Sequence, residues 1–146
     1  MEQKRAWLRA VQKTADRYLT PENGFNGRMS CRLAGCCYAE QSVTFAFETQ
    51  RWQCNDRGEI HGGAIAGMFD TAFGVVAYIT AGGPVTSTAE LSVSFLRSVA
   101  YGTSVHVKVI VLKAGRSLIR QRAELTDAAT GSLLAVAGGC WTILSH

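Results

Sequence analysis

The chain has 146 residues, 47% hydrophobic and 18% charged, with a net charge of +4 at pH 7, which suits one globular domain with a real apolar core. Its five cysteines (31, 36, 37, 54 and 140) are odd in number and include no CxxC pair, which argues against a disulfide framework and for reduced thiols in a cytoplasmic setting. The basic residues are dispersed, so nothing points to nucleic acid. Residues 6–19 are interrupted by Arg9, Lys13, Asp16 and Arg17, so neither a signal peptide nor a membrane span is expected and the chain should be soluble.

Residues 2–19 place Trp7, Ala10, Val11, Thr14 and Tyr18 at helical spacing, which predicts a packing helix or lid. Thr20, Pro21 and the Asn23-Gly24 pair stop it. Alternation over residues 42–49, with Val43, Phe45 and Phe47 on one side, predicts a half-buried strand, followed by a polar loop over 50–59. Residues 62–80 are apolar almost all round and too long for a strand, so they predict a buried central helix.

After the Gly82-Gly83-Pro84 break, four runs with strand character follow at 85–97, 103–113, 117–127 and 133–143. Val105, Val107, Val109 and Val111 alternate, as do Ala89, Leu91, Val93 and Phe95, so one face of an antiparallel sheet packs on something apolar. The expected architecture is α+β: a sheet of five to six strands wrapped around one long helix, in a single domain over 1–146 without linkers or repeats.

Asp70 is the only charged residue between His61 and Glu90, and an anion in an apolar helix is costly unless it is paired or used. At 100° per residue its neighbours on the helix surface are Gly63, Ala66, Gly67, Phe73, Gly74 and Ala77, nearly all small. That strip leaves room for a substrate, or else serves only close helix packing. The helix opens with His61-Gly62-Gly63, whose first N–H groups lie at the positive end of the dipole and suit an oxyanion. Gly62 and Asp70 are eight residues apart, ~12 Å along the axis. One carbonyl cannot touch both, so a shared reaction requires Asp70 from a second chain, in a two-fold homodimer with composite sites.

The run Asn55-Asp-Arg-Gly58-Glu-Ile-His61-Gly62-Gly63, then Asp70, then Thr88-Ala-Glu-Leu-Ser-Val-Ser-Phe-Leu-Arg97 resembles the PaaI-like branch of the hotdog-fold thioesterases, over roughly residues 40–143. Glu59 and Cys54 depart from that pattern. The resemblance implies hydrolysis of acyl-coenzyme A, a hotdog dimer often paired into a homotetramer, no metal, and no cofactor beyond the coenzyme A of the substrate. It also implies roles: the Gly62 N–H as oxyanion donor with Gly63 beside the substrate, Asn55 as a supporting polar contact, and Asp70 of the facing subunit as base or nucleophile. Thr88 would sit near the attacking water, and His61 would orient the loop and Asn55. Arg97, Lys113, Arg116 and Arg120 are candidate contacts for the coenzyme A phosphates.

Other chemistries fit less well. No Gly-x-Ser-x-Gly elbow is present, nothing in the sequence activates Cys36, Cys37 or Cys54, and Cys31, Cys36, Cys54 and His61 lack a zinc spacing. A hotdog hydratase or dehydratase and a non-catalytic acyl-CoA-binding module remain as alternatives. Phe25, Tyr38, Phe73 and Tyr78 are candidates for lining an acyl pocket, with core packing as the competing use.

Overall fold

The computed structural model describes residues 1–83 and 86–144, so Pro84 of the predicted break and Val85 of the predicted strand lie outside the described residues. Ten elements follow in order: α1 (Glu2–Tyr18), α2 (Gly24–Arg28), β1 (Cys31–Cys37), β2 (Ser42–Glu48), a 3-10 turn (Arg51–Gln53), α3 (Gly62–Ala81), β3 (Thr86–Phe95), β4 (Ser104–Ala114), β5 (Leu118–Asp127) and β6 (Leu133–Ile143). The strands form one sheet in the order β1-β2-β4-β5-β6-β3, and every pairing is antiparallel.

In β2 and β4 the alternation read from the sequence is the alternation the sheet uses, whereas in β3 the predicted inward set fails at its two ends, with Ala89 exposed and Phe95 53% exposed. Phe45, Phe47, Val105, Val107, Ile119 and Leu125 present their side chains to α3 and are fully buried. From the helix, Met68, Phe69, Ala72 and Phe73 meet them, each at most 1% exposed. Burying each large side chain contributes roughly 1.5–3 kcal/mol before the entropy of ordering is subtracted. By length and composition α3 could cross a membrane, but 61% of its apolar window is buried inside the fold, so it is the core helix. It ends at Gly82, whose left-handed φ of 76° lets its N–H return to the Ile79 carbonyl.

Trp141 closes the core under the middle of α3, its ring 4.9 Å from that of Phe73. This requires a glycine two residues earlier, because a Cβ on Gly139 would lie 2.5 Å from Trp141 Cζ3 and 2.7 Å from the Glu90 carbonyl oxygen. Alongside, α1 lays Val11, Thr14 and Ala15 on the fold, with Trp7 edge-on to Tyr38 of the β1–β2 turn at 5.6 Å.

Strands β1 and β3 are the sheet's two edges. β3 is ten residues long and mostly exposed, an unpaired row of backbone groups of the kind that invites another strand.

Candidate active site

Asp70 lies half-buried at the middle of α3, and its Oδ1 accepts a 2.8 Å hydrogen bond from Thr88 Oγ1 of β3. Strict alternation would turn Thr88 away from the helix, since Leu91 and Val93 face it. A β-bulge between Thr88 and Glu90 changes the phase: Thr88 pairs with Trp141, and Leu91 with Gly139, so both share the inner face. Ala89, expected to point inward with Leu91, is the extra residue of that bulge and is exposed. The irregularity therefore places the hydroxyl on the carboxylate.

In front of Asp70 is a cavity of about 310 Å³, lined on α3 by Thr71, Gly74, Val75 and Tyr78 and on the sheet by Thr86, Thr88 and Trp141. The strip of small residues divides between its two possible uses. A Cβ on Gly67 would meet Phe25 Cζ at 2.7 Å, so there the missing side chain serves packing. A Cβ on Gly74 would meet nothing within 4 Å, so there it leaves the cavity open.

Of the aromatic candidates for the pocket only Tyr78 lines it. Phe73 is fully buried in the core and Phe25 is 58% exposed over Gly67. Tyr38 is engaged by Trp7. Among the lining residues not foreseen are Tyr18 from the end of α1 and Asn26 from α2. Asn26 Oδ1 accepts from Thr71 Oγ1 at 3.0 Å. Burial first, and then the Tyr78 side chain beside it, hold the Tyr18 phenol above its ordinary range. The helical stripe of α1 marks Tyr18 as inward-facing, but no local pattern says which element it meets.

Of the other predicted residues, Asn55, His61, Gly62 and Gly63 gather at the start of α3. Asn55 folds its own loop: Oδ1 accepts from the N–H groups of Arg57 (2.9 Å) and Glu59 (3.1 Å), which leaves its amide NH₂ as the outward donor. The loop is pinned by the N–H of His61 on the Gln53 carbonyl and that of Ile60 on the Val99 carbonyl, each at 2.8 Å. His61 caps the helix, its Nδ1 accepting from the Gly63 N–H at 2.8 Å. The imidazole is thus tied through Nδ1 to Gly63, whose N–H is engaged by it. The Gly62 N–H has no partner among the described residues.

Asn55, Gly62 and Arg97 share a surface cleft of about 270 Å³. Arg97 lies beside Leu134 at the start of β6, whereas Thr88 pairs with Trp141 near its end. Lys113 pairs with Arg120 at the β4–β5 hairpin, close to the Ile119–Trp141 pair. One chain thus keeps Asp70, Thr88, Lys113 and Arg116 toward one end of the sheet and Asn55, Gly62 and Arg97 toward the other. Arg120 sits 3.8 Å from the Glu90 carboxylate. None of the cysteines lines the Asp70 cavity, and burial pushes the Cys31 thiol up to about 12, far from the thiolate a nucleophile needs.

A six-stranded antiparallel sheet wrapped on one long helix, with a carboxylate at mid-helix, is the hotdog fold. The family model described as Thioesterase superfamily matches residues 57–133, and the chain belongs to that superfamily. The Escherichia coli PaaI protein of the phenylacetic acid degradation operon superposes with a TM-score of 0.81 at 14% identity, covering 94% of this chain and 95% of that one. Thioesterase superfamily member 2 from Mus musculus gives 0.77 at 16% identity, covering 90% and 96%. A putative thioesterase from Ralstonia eutropha, a phenylacetic acid degradation-related protein, gives 0.77 at 22% identity, covering 87% and 95%. At these identities the likeness establishes the fold. No curated protein sequence matches the chain.

Proposed function

We propose that the protein hydrolyses acyl-coenzyme A thioesters to the free acid and coenzyme A, at a site completed by two chains. The observation that carries this reading is the Thr88–Asp70 hydrogen bond, both of whose partners line a cavity of about 310 Å³. A structural carboxylate is expected to bond a neighbouring amide; this one holds a hydroxyl beside open space. The complementary group, the Gly62 N–H, which has no partner among the described residues, lies ~12 Å away along the same helix. The exposed edge of β3 offers a surface on which a second copy can pair about a two-fold axis, with Asp70 of one chain meeting Gly62 of the other.

In such a site water attacks the thioester carbonyl while Asp70 accepts its proton, or Asp70 attacks directly and water resolves the anhydride. The Gly62 N–H, with the Asn55 amide beside it, holds the developing oxyanion. Collapse expels a thiolate whose conjugate acid has a pKa of about 8.5, so no strong general acid is needed. Thr88 fixes the carboxylate. In this reading Arg97 from one chain, with Lys113 and Arg116 from the other, would meet the coenzyme A phosphates. The two-chain site implies a homodimer, and pairing of dimers into a homotetramer is compatible with it. Five free cysteines, two of them exposed, suit a reducing cytoplasm.

The test is release of free thiol by the purified protein from acetyl, hexanoyl, lauroyl, phenylacetyl and hydroxybenzoyl thioesters. Turnover of at least one, abolished in Asp70→Asn, is expected. All thioesters left intact over hours would remove the hydrolase reading in favour of a binding module.

A further inference from the structure

Two cavities lie in succession along α3, the first against β3 and β6 and the second against α1. The first, at Asp70 and Thr88, is about 310 Å³, at the small end of the range of about 300–1,000 Å³ usual for ligand sites. The second, about 250 Å³, lies further along, against Thr14 and Arg17 of α1 and Ile79 and Gly83 at the end of α3. Tyr78 lines both, so its side chain stands where the two cavities adjoin.

The Tyr78 ring has Tyr18 packed against it and Gly83 near its hydroxyl. Tyr18 meets it edge-on, with centroids 5.1 Å apart and planes at 65°. The Tyr78 hydroxyl lies 3.6 Å from where a Cβ on Gly83 would stand. Tyr18 is steadied in turn by the Arg17 guanidinium, 5.3 Å from its ring centroid. Neither tyrosine has a part in the hydrolysis described above.

We propose that Tyr78, braced by Tyr18, is the end wall of the acyl pocket and limits the acyl group the protein accepts to roughly six carbons. The length follows from the helix. Tyr78 is eight residues beyond Asp70, ~12 Å along the axis, and van der Waals contact with the ring takes up about 4 Å of that. The remaining ~8 Å holds about six carbons at roughly 1.3 Å each, from carbon–carbon bonds of about 1.5 Å at tetrahedral angles. Removing the ring opens the first cavity into the second. The inference rests on the acyl-CoA reading, but its measurement does not need turnover.

The experiment titrates full-length protein carrying Asp70→Asn with non-hydrolysable acyl-coenzyme A ketone analogues, butyryl to dodecanoyl, by calorimetry. Thiol release is followed in parallel with Asp70 intact. With Tyr78 present, affinity is expected to peak near hexanoyl and fall at least about tenfold by dodecanoyl. Tyr78→Ala should abolish that fall, and Tyr78→Leu, which keeps an apolar contact for Tyr18, should move the optimum the same way if the alanine variant folds poorly. Tyr78→Phe keeps the ring and should keep the cut-off. An unmoved length profile in a folded Tyr78→Leu or Tyr78→Ala protein, or equal affinity for all lengths with Tyr78 in place, overturns the wall. A shifted binding profile without thiol release from any variant overturns hydrolysis and leaves the wall standing.

Discussion

The two halves of α3 differ in how their polar groups are used. At the N-terminal end almost every donor and acceptor is committed to structure: His61 to Gly63, the Asn55 carbonyl to Arg57 and Glu59, and Ile60 to Val99. What remains is one N–H at Gly62 and the Asn55 amide. At mid-helix the reverse holds, with a carboxylate, a hydroxyl and a cavity and little covering them. One half is a rigid donor and the other an acceptor with space, and each lacks what the other has. A single chain keeps them a cavity's length apart, which is why the proposed chemistry needs a second one.

The largest expected effect lies on the acceptor side. Asp70→Asn should lower kcat by about two orders of magnitude or more with an unchanged melting curve, as loss of a general base does. Filling the space should be nearly as harmful. Gly74→Leu adds a side chain where nothing lies within 4 Å, so kcat/KM should fall at least about tenfold. The melting temperature should not fall, because glycine costs a helix interior about 1 kcal/mol. Thr88→Val frees the carboxylate and should cost about tenfold in kcat, the worth of one hydrogen bond to a charged group. On the donor side, His61→Ala removes a cap and should cost about 1 kcal/mol in urea unfolding while leaving measurable turnover. A collapse of activity in that variant comparable with Asp70→Asn would erase the distinction between the two halves.

The regular parts of the fold were legible because their burial is periodic: the valines of β4, the phenylalanines of β2, and the near-continuous apolar run of α3. Strand β1 was not, since its sequence Cys-Arg-Leu-Ala-Gly-Cys-Cys carries a bulge between Leu33 and Gly35 that breaks the alternation. The five-residue α2 is too short to show a period. Within the site, Asp70 and Gly62 announce themselves by chemistry out of place in a greasy segment. The facing of Thr88 depends on a bulge that no local rule predicts, and Tyr18 reaches the cavity only through the docking of α1, some fifty residues before Asp70 in the chain.

The most direct test of a two-chain site is subunit mixing. Gly62→Pro deletes the free N–H at the first helical position, where proline is well accommodated, and His61 before it already has the extended ψ of 138° that a residue preceding proline adopts. Mixed in equal amounts with Asp70→Asn chains and allowed to exchange, the two inactive proteins should regain about a quarter of the native turnover, from the one intact site in each heterodimer. Verified exchange with no regained activity would contradict the shared site.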